Sequence, residues 1–177
     1  MHELSPSELL VLGLLAEGAT HGYELERLIR ARGVRNWTSL GTSSIYYVLR
    51  RLEDHGLIVS HKESPAEKAR REFKLTHEGR KMCAEGSLRL LREVKLVHAP
   101  VLVGMANLEL LDRSDVLLAL RERRNNVAEC LEGLIGARTN PDVPLVARLI
   151  FDHPAAVLEA ELKWIDGTIA TLEEIDD

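Results

Sequence analysis

The chain has 177 residues, 45% hydrophobic and 29% charged, which is enough apolar material for a folded core in one or two small domains. With 23 Lys and Arg against 28 Asp and Glu the net charge is -5, which argues against a protein that coats nucleic acid along its whole surface and against a polybasic membrane binder. The charge is segregated: residues 1–82 hold 13 basic and 11 acidic side chains and residues 83–177 hold 10 and 17, so the N-terminal half is the one suited to approach an anion. Two cysteines, Cys83 and Cys130, give no disulfide framework, and the start Met1-His2-Glu3 has no cationic segment ahead of an apolar one. The longest apolar stretch, Leu9 to Ala16 broken by Gly13, falls well short of the roughly 18 residues a membrane span needs. A cytoplasmic protein without membrane contact is the expectation.

Ser5-Pro6-Ser7-Glu8 predicts a helix start, with Ser5 as cap, Pro6 at the first helical position and Glu8 closing a capping box. The first helix runs through Leu9, Leu12 and Leu15 and stops at Gly18. A second is expected from about Gly22 to Arg32, with Leu25, Leu28 and Ile29 on one face and Gly33 as its stop, and a third between Gly41 and Gly56. Three short helices joined by glycine-marked turns form a compact helix-turn-helix unit. Leu57 to Lys62 then reads as a strand and Arg71 to Thr76 alternates as a second one, separated by a polar segment containing Ser64-Pro65. Three helices followed by a hairpin is the winged form of the motif.

After Thr76 strand-like alternation ends, and long helical stretches are broken near Ala99-Pro100, Leu111 to Ser114 and Thr139 to Asp142. Leu117, Leu120, Arg124, Val127, Leu131 and Leu134 form one seam with a period near 3.5, and Leu158, Leu162, Ile165, Ile169 and Leu172 form another. Such seams either close an intramolecular bundle or form a dimer interface; the second set is the expected dimerisation surface. The predicted fold is therefore mainly α with a small β-hairpin: a winged helix-turn-helix domain at 1–82 followed by an all-helical dimerisation domain at 83–177.

The third helix carries the chemistry. Ile45, Val48, Leu49 and Leu52 form a buried stripe; Ser43, Tyr47, Arg50 and Asp54 stand opposite, flanked by Ser44, Tyr46 and Arg51. Hydroxyls of Thr42, Ser43 and Ser44 at a helix N-terminus suit a phosphate, and tyrosines and guanidinium groups beyond them reach phosphates or base edges. A helix that enters a major groove needs this division between a buried and a polar face. On the hairpin, Lys68, Arg70 and Arg71, with Lys62 and Lys74 beside them, supply cations that can straddle a sugar-phosphate backbone.

Leu12-Gly13-Leu14-Leu15 with Gly18, His21-Gly22-Tyr23-Glu24-Leu25, Gly41-Thr42-Ser43-Ser44-Ile45-Tyr46, Leu49-Arg50-Arg51-Leu52-Glu53 with Gly56-Leu57-Ile58, and Leu75-Thr76 with Gly79-Arg80 together resemble the PadR family of bacterial transcriptional regulators over about the first 82 residues. The resemblance implies a homodimeric winged helix-turn-helix protein that binds double-stranded operator DNA, usually as a repressor, with a helical C-terminal region that dimerises and in some members senses a small molecule. The long C-terminal half resembles the branch with the larger helical domain, and Trp164 on its last seam is the candidate wall of an effector pocket. Two positions depart from the family pattern: Tyr47 stands where proline is common, and the wing reads Ser64 to Arg71 in place of a Gly-Pro-rich basic turn.

Enzyme chemistry finds no support in the sequence. It contains no nucleotide-binding glycine loop, zinc-protease helix or nucleophile elbow. The seven histidines, at 2, 21, 55, 61, 77, 98 and 153, include no pair with His or Cys at helical ligand spacing. No catalytic residue, cofactor or metal is expected.

Overall fold

A computed structural model describes residues 3–38, 44–62, 71–96, 98–139 and 142–175. The chain divides into two compact units, Met1–Lys95 and Leu96–Asp177. The helix that follows the hairpin packs on the first helix and falls within the first of these units.

The first unit contains helices α1 (Pro6–Ala16), α2 (Gly22–Ala31) and α3 (Ser44–Asp54), strands β1 (Ile58–Lys62) and β2 (Arg71–Leu75), and helix α4 (His77–Arg92). The capping box forms as the sequence dictates: the Glu8 amide donates to Ser5 Oγ, and Ser5 donates through both its amide and its hydroxyl to Glu8 Oε2. Gly18, Gly33 and Gly56, the expected stops of the first three helices, all take positive φ, where a Cβ would be strained. Leu12, Leu25, Ile29, Ile45, Leu49, Leu52 and Ile58 are essentially inaccessible and form one core between the three helices and the hairpin.

The two strands pair antiparallel with Ile58 opposite Leu75 and Lys62 opposite Arg71. The hairpin base is tied to the turn before α2: the Phe73 amide donates to the Thr20 carbonyl at 2.7 Å, and His21 bridges to Glu72. Thr76 caps α4, accepting from the Gly79 amide at 2.9 Å while its own hydroxyl donates to the Leu57 carbonyl at 2.9 Å.

In the second unit, α5 (Val101–Ala106) precedes the long helices α6 (Arg113–Thr139) and α7 (Leu145–Glu174). These pair antiparallel, since Arg121 meets Glu173 while Arg124, further along α6, meets Asp166, earlier on α7. The seam expected to dimerise is consumed within the chain. Ile165 is fully buried against Val116, Leu120 and Val127, and Leu158, Leu162, Ile169 and Leu172 pack around them with Trp164. Arg124, which interrupted the first seam, stays at the surface and donates to Asp166 at 2.6 Å. No helix among the described residues is long and apolar enough to cross a membrane.

Two outcomes test this account of the first unit. A Cβ at Gly79 would lie 2.9 Å from the Leu57 carbonyl carbon and closer still to its oxygen, so Gly79→Ala should cost about 1–3 kcal/mol, read as a lowered melting temperature. Glu24 accepts the Thr20 amide at 2.9 Å and the His21 amide at 3.2 Å; the Thr20 amide, more than any other group, holds its carboxyl below the usual carboxylate range, partly opposed by burial. The stabilisation from this depressed folded-state pKa is present above the ordinary Glu value and lost as pH falls through the lowered one. Glu24→Gln should therefore be less stable than the parent at neutral pH, and the gap should close in acid melts.

Candidate nucleic-acid interface

α3 presents the features a reading helix needs. Its buried stripe is Ile45, Val48, Leu49 and Leu52, as the spacing predicts, and Tyr46, Tyr47 and Arg50 are exposed, the two tyrosines to 66% and 63%. Among the described residues Arg50 has no ion-pair partner, so its guanidinium is available to an incoming acceptor. Ser44 opens the helix. Thr42 and Ser43 lie outside the described residues, as do Lys68 and Arg70 at the hairpin tip.

Arg51, the second guanidinium expected to face nucleic acid, differs from its neighbour in its surroundings. Its Nε lies 3.5 Å from Oε1 of Glu8, a carboxylate only 1% exposed at the start of α1, and its guanidinium sits 5.8 Å from the Tyr47 ring centroid. A carboxylate so far from water needs a counter-charge. Arg51 is thus turned toward α1, and Arg50 alone of the two stands free on the outer face.

Arg71 is exposed at the loop end of β2, where it pairs at 3.5 Å with Glu53 on α3; the same carboxylate accepts the Ser60 hydroxyl of β1. Between α3, the start of α2 and β2 lies an open cleft of about 530 Å³, floored by Leu49 and Phe73 and walled by Tyr23, Tyr46, Arg50, Glu53, Asp54 and Arg71. Gly22 lets the Tyr46 ring lie against the start of α2: a Cβ there would approach Tyr46 Cε1 to 2.9 Å. Tyr23, 57% exposed, was missed by the sequence reading. The signal was its place beside Gly22, legible only once α2 and α3 are known to meet there.

Among the described residues no group of three His, Cys, Asp or Glu side chains converges to hold a metal ion. Burial raises the pKa of the Cys83 thiol, which suits a packing role and not a reactive one.

Replacing Arg50 by Ala should remove binding to nucleic acid and leave the melting temperature unchanged. Arg51→Ala should instead strand the Glu8 carboxylate and cost about 1–3 kcal/mol of stability, with any loss of binding following from loss of fold. Parallel melts and anisotropy titrations of the two variants separate them; equal effects on binding with intact stability would return Arg51 to the reading face.

Residues 11–85 match the model of the transcriptional regulator PadR-like family. The fold is shared with Bacillus subtilis PadR in complex with operator DNA, at TM-score 0.74 and 18% identity over 93% of this chain and 98% of that one. It is shared likewise with the same protein in complex with p-coumaric acid, at 0.75 and 19% over 94% and 98%. A further neighbour is the Vibrio cholerae virulence activator AphA, at 0.69 and 16% over 94% and 98%. No curated protein sequence matches the chain.

Proposed function

We propose that this chain, a PadR-like transcriptional regulator in its first unit, is a homodimeric, sequence-specific DNA-binding repressor of the cytoplasm that reads a two-fold operator with α3 and steadies itself on the backbone with its wing. The observation that carries the reading is the exposed Arg50, without an ion-pair partner among the described residues, between two exposed tyrosines on a helix whose other face is buried. An arginine so placed is suited to the bidentate contact with guanine that dominates direct readout, and the tyrosine hydroxyls can donate to phosphates. The neighbour bound to operator DNA uses the same fold, which supports the groove as the place of action.

Dimerisation belongs to the mechanism because one reading helix selects too few bases, whereas a two-fold pair set about 34–36 Å apart reads successive turns of a palindrome. The seam that the periodicity offered packs against α6 within the chain, which favours another face of the second unit for the interface. Val146, Leu149 and Val157 form a stripe on the first half of α7, and they are 69%, 58% and 54% exposed. A two-helix hairpin buries one face of each helix and leaves such a stripe without cover.

A ligand-responsive form of the same regulator is the second reading, favoured by the half-buried Trp164 ring on the α6–α7 core and by the neighbour that holds p-coumaric acid. Melting the protein against a panel of small aromatic acids, with Trp164→Ala as comparison, tests it.

For the main reading, the protein should enrich a two-fold sequence from a random duplex pool, and that sequence placed across a promoter should lower reporter expression when the protein is present. Enrichment of nothing above random would move the winged helix to protein contact. Leu149→Asp combined with Val146→Asp should sediment as a folded monomer whose affinity for the enriched site drops to that for half of it. Ile165→Asp should instead unfold the α6–α7 hairpin. A Val146→Asp, Leu149→Asp protein that remains a tight dimer places the interface on another face.

A further inference from the structure

The cleft between α3 and β2 contains more acid than a DNA-facing surface needs. Two guanidinium groups, Arg50 and Arg71, are matched there by two carboxylates, Glu53 and Asp54. Glu53 takes the charge of Arg71 at 3.5 Å, and Asp54 is exposed at the end of the same helix.

The obvious role for Glu53, holding the wing to the reading helix, is already filled by other contacts. Phe73 is buried in the core, its amide donates to Thr20, His21 bridges to Glu72, and the Thr76 amide donates to the Leu57 carbonyl at 3.1 Å. A wing base fixed by backbone bonds and a buried aromatic ring does not depend on a part-exposed ion pair, which in general contributes little to stability. What the carboxylates change is the field in the cleft.

Resting on the DNA-binding reading above, we propose that Glu53 and Asp54 are specificity-determining residues, which keep the cleft between α3 and β2 electrically neutral and so lower affinity for bulk DNA more than affinity for the operator. Binding to arbitrary sequence depends almost wholly on phosphates that displace counterions by meeting Lys or Arg. A phosphate that enters this cleft meets Arg71 already paired and Asp54 repelling it. At an operator, Arg50 gains base contacts that random sequence does not offer, and these outlast the penalty.

Glu53→Gln is the direct test, because the amide retains an oxygen for the Ser60 hydroxyl while the charge is lost. Affinity for a random duplex and for the duplex enriched by the parent protein is measured by anisotropy between 50 and 200 mM salt, with Asp54→Asn in parallel. Each variant should bind the random duplex roughly three- to tenfold tighter, and the slope of log affinity against log salt should steepen by about 0.9, one added phosphate contact. Affinity for the enriched duplex should rise less, so the ratio of the two falls. The gain from Glu53→Gln should disappear when Arg71→Ala is added, because Arg71 is the cation it releases.

Unchanged or weakened random-duplex binding in both variants overturns the proposal, and so does an equal gain on both duplexes. If Glu53→Gln lowers the melting temperature enough to obscure binding, Glu53 is a structural residue, and Asp54→Asn, whose side chain has no ion pair among the described residues, decides the matter alone. A parent protein that binds no duplex at all refutes the DNA-binding reading itself, a result distinct from any of these.

Discussion

The first unit is organised around a carboxylate that water does not reach. Glu8 sits at 1% exposure, and an ion removed from solvent costs several kcal/mol unless hydrogen bonds and a counter-charge answer it. Here the Ser5 amide and hydroxyl take one carboxylate oxygen and Arg51 faces the other. The same side chain therefore closes the first turn of α1 and binds that turn to the middle of α3. Because consecutive residues on a helix are turned by about 100°, fixing Arg51 inward directs Arg50 outward. The outward face of α3 is thus set partly by a charge buried on its other flank.

The wing is held by a different device, backbone bonding to the turn before α2. Phe73 contributes a buried ring and an amide to this joint, and Thr76 then starts α4 on the Leu57 carbonyl. Placement of β2 brings Arg71 beside Glu53, so the charge at the loop end of the strand is balanced by α3 itself.

The helices of the first unit were legible because each carries its own local start or stop: the Ser5 capping box, Gly18, Gly33 and Gly56. The strands were legible because their alternation follows a change of composition. The facing of Arg51 was not. On the helical wheel Tyr46 and Arg51 lie at nearly equal angles either side of the Ile45, Val48, Leu49 and Leu52 stripe, so periodicity alone cannot say which flank a neighbouring helix covers. Glu8 covers one and the start of α2 borders the other, a fact of tertiary packing. Glu53 was hidden for the same reason: it reads as one more charge on a helix until Ser60 and Arg71 are brought beside it by the hairpin.

The second unit shows the limit of a heptad-like pattern more plainly. Leu158, Leu162, Ile165, Ile169 and Leu172 define a seam, and a seam states that a helix packs without stating whether its partner is in the same chain. Three cross-helix ion pairs, Arg121 with Glu173, Arg123 with Glu161 and Arg124 with Asp166, border that seam and favour α6 as its partner, since each is satisfied within one molecule. What periodicity left unclaimed is the exposed stripe on the first half of α7, interrupted before Val157 by His153 and Pro154, whose missing amide removes one helical bond. Association through such a stripe asks nothing of the ion pairs. The excess acid of residues 83–177 disfavours approach of this half of the chain to a polyanion, which suits the proposed division in which α3 and the wing meet the phosphate backbone.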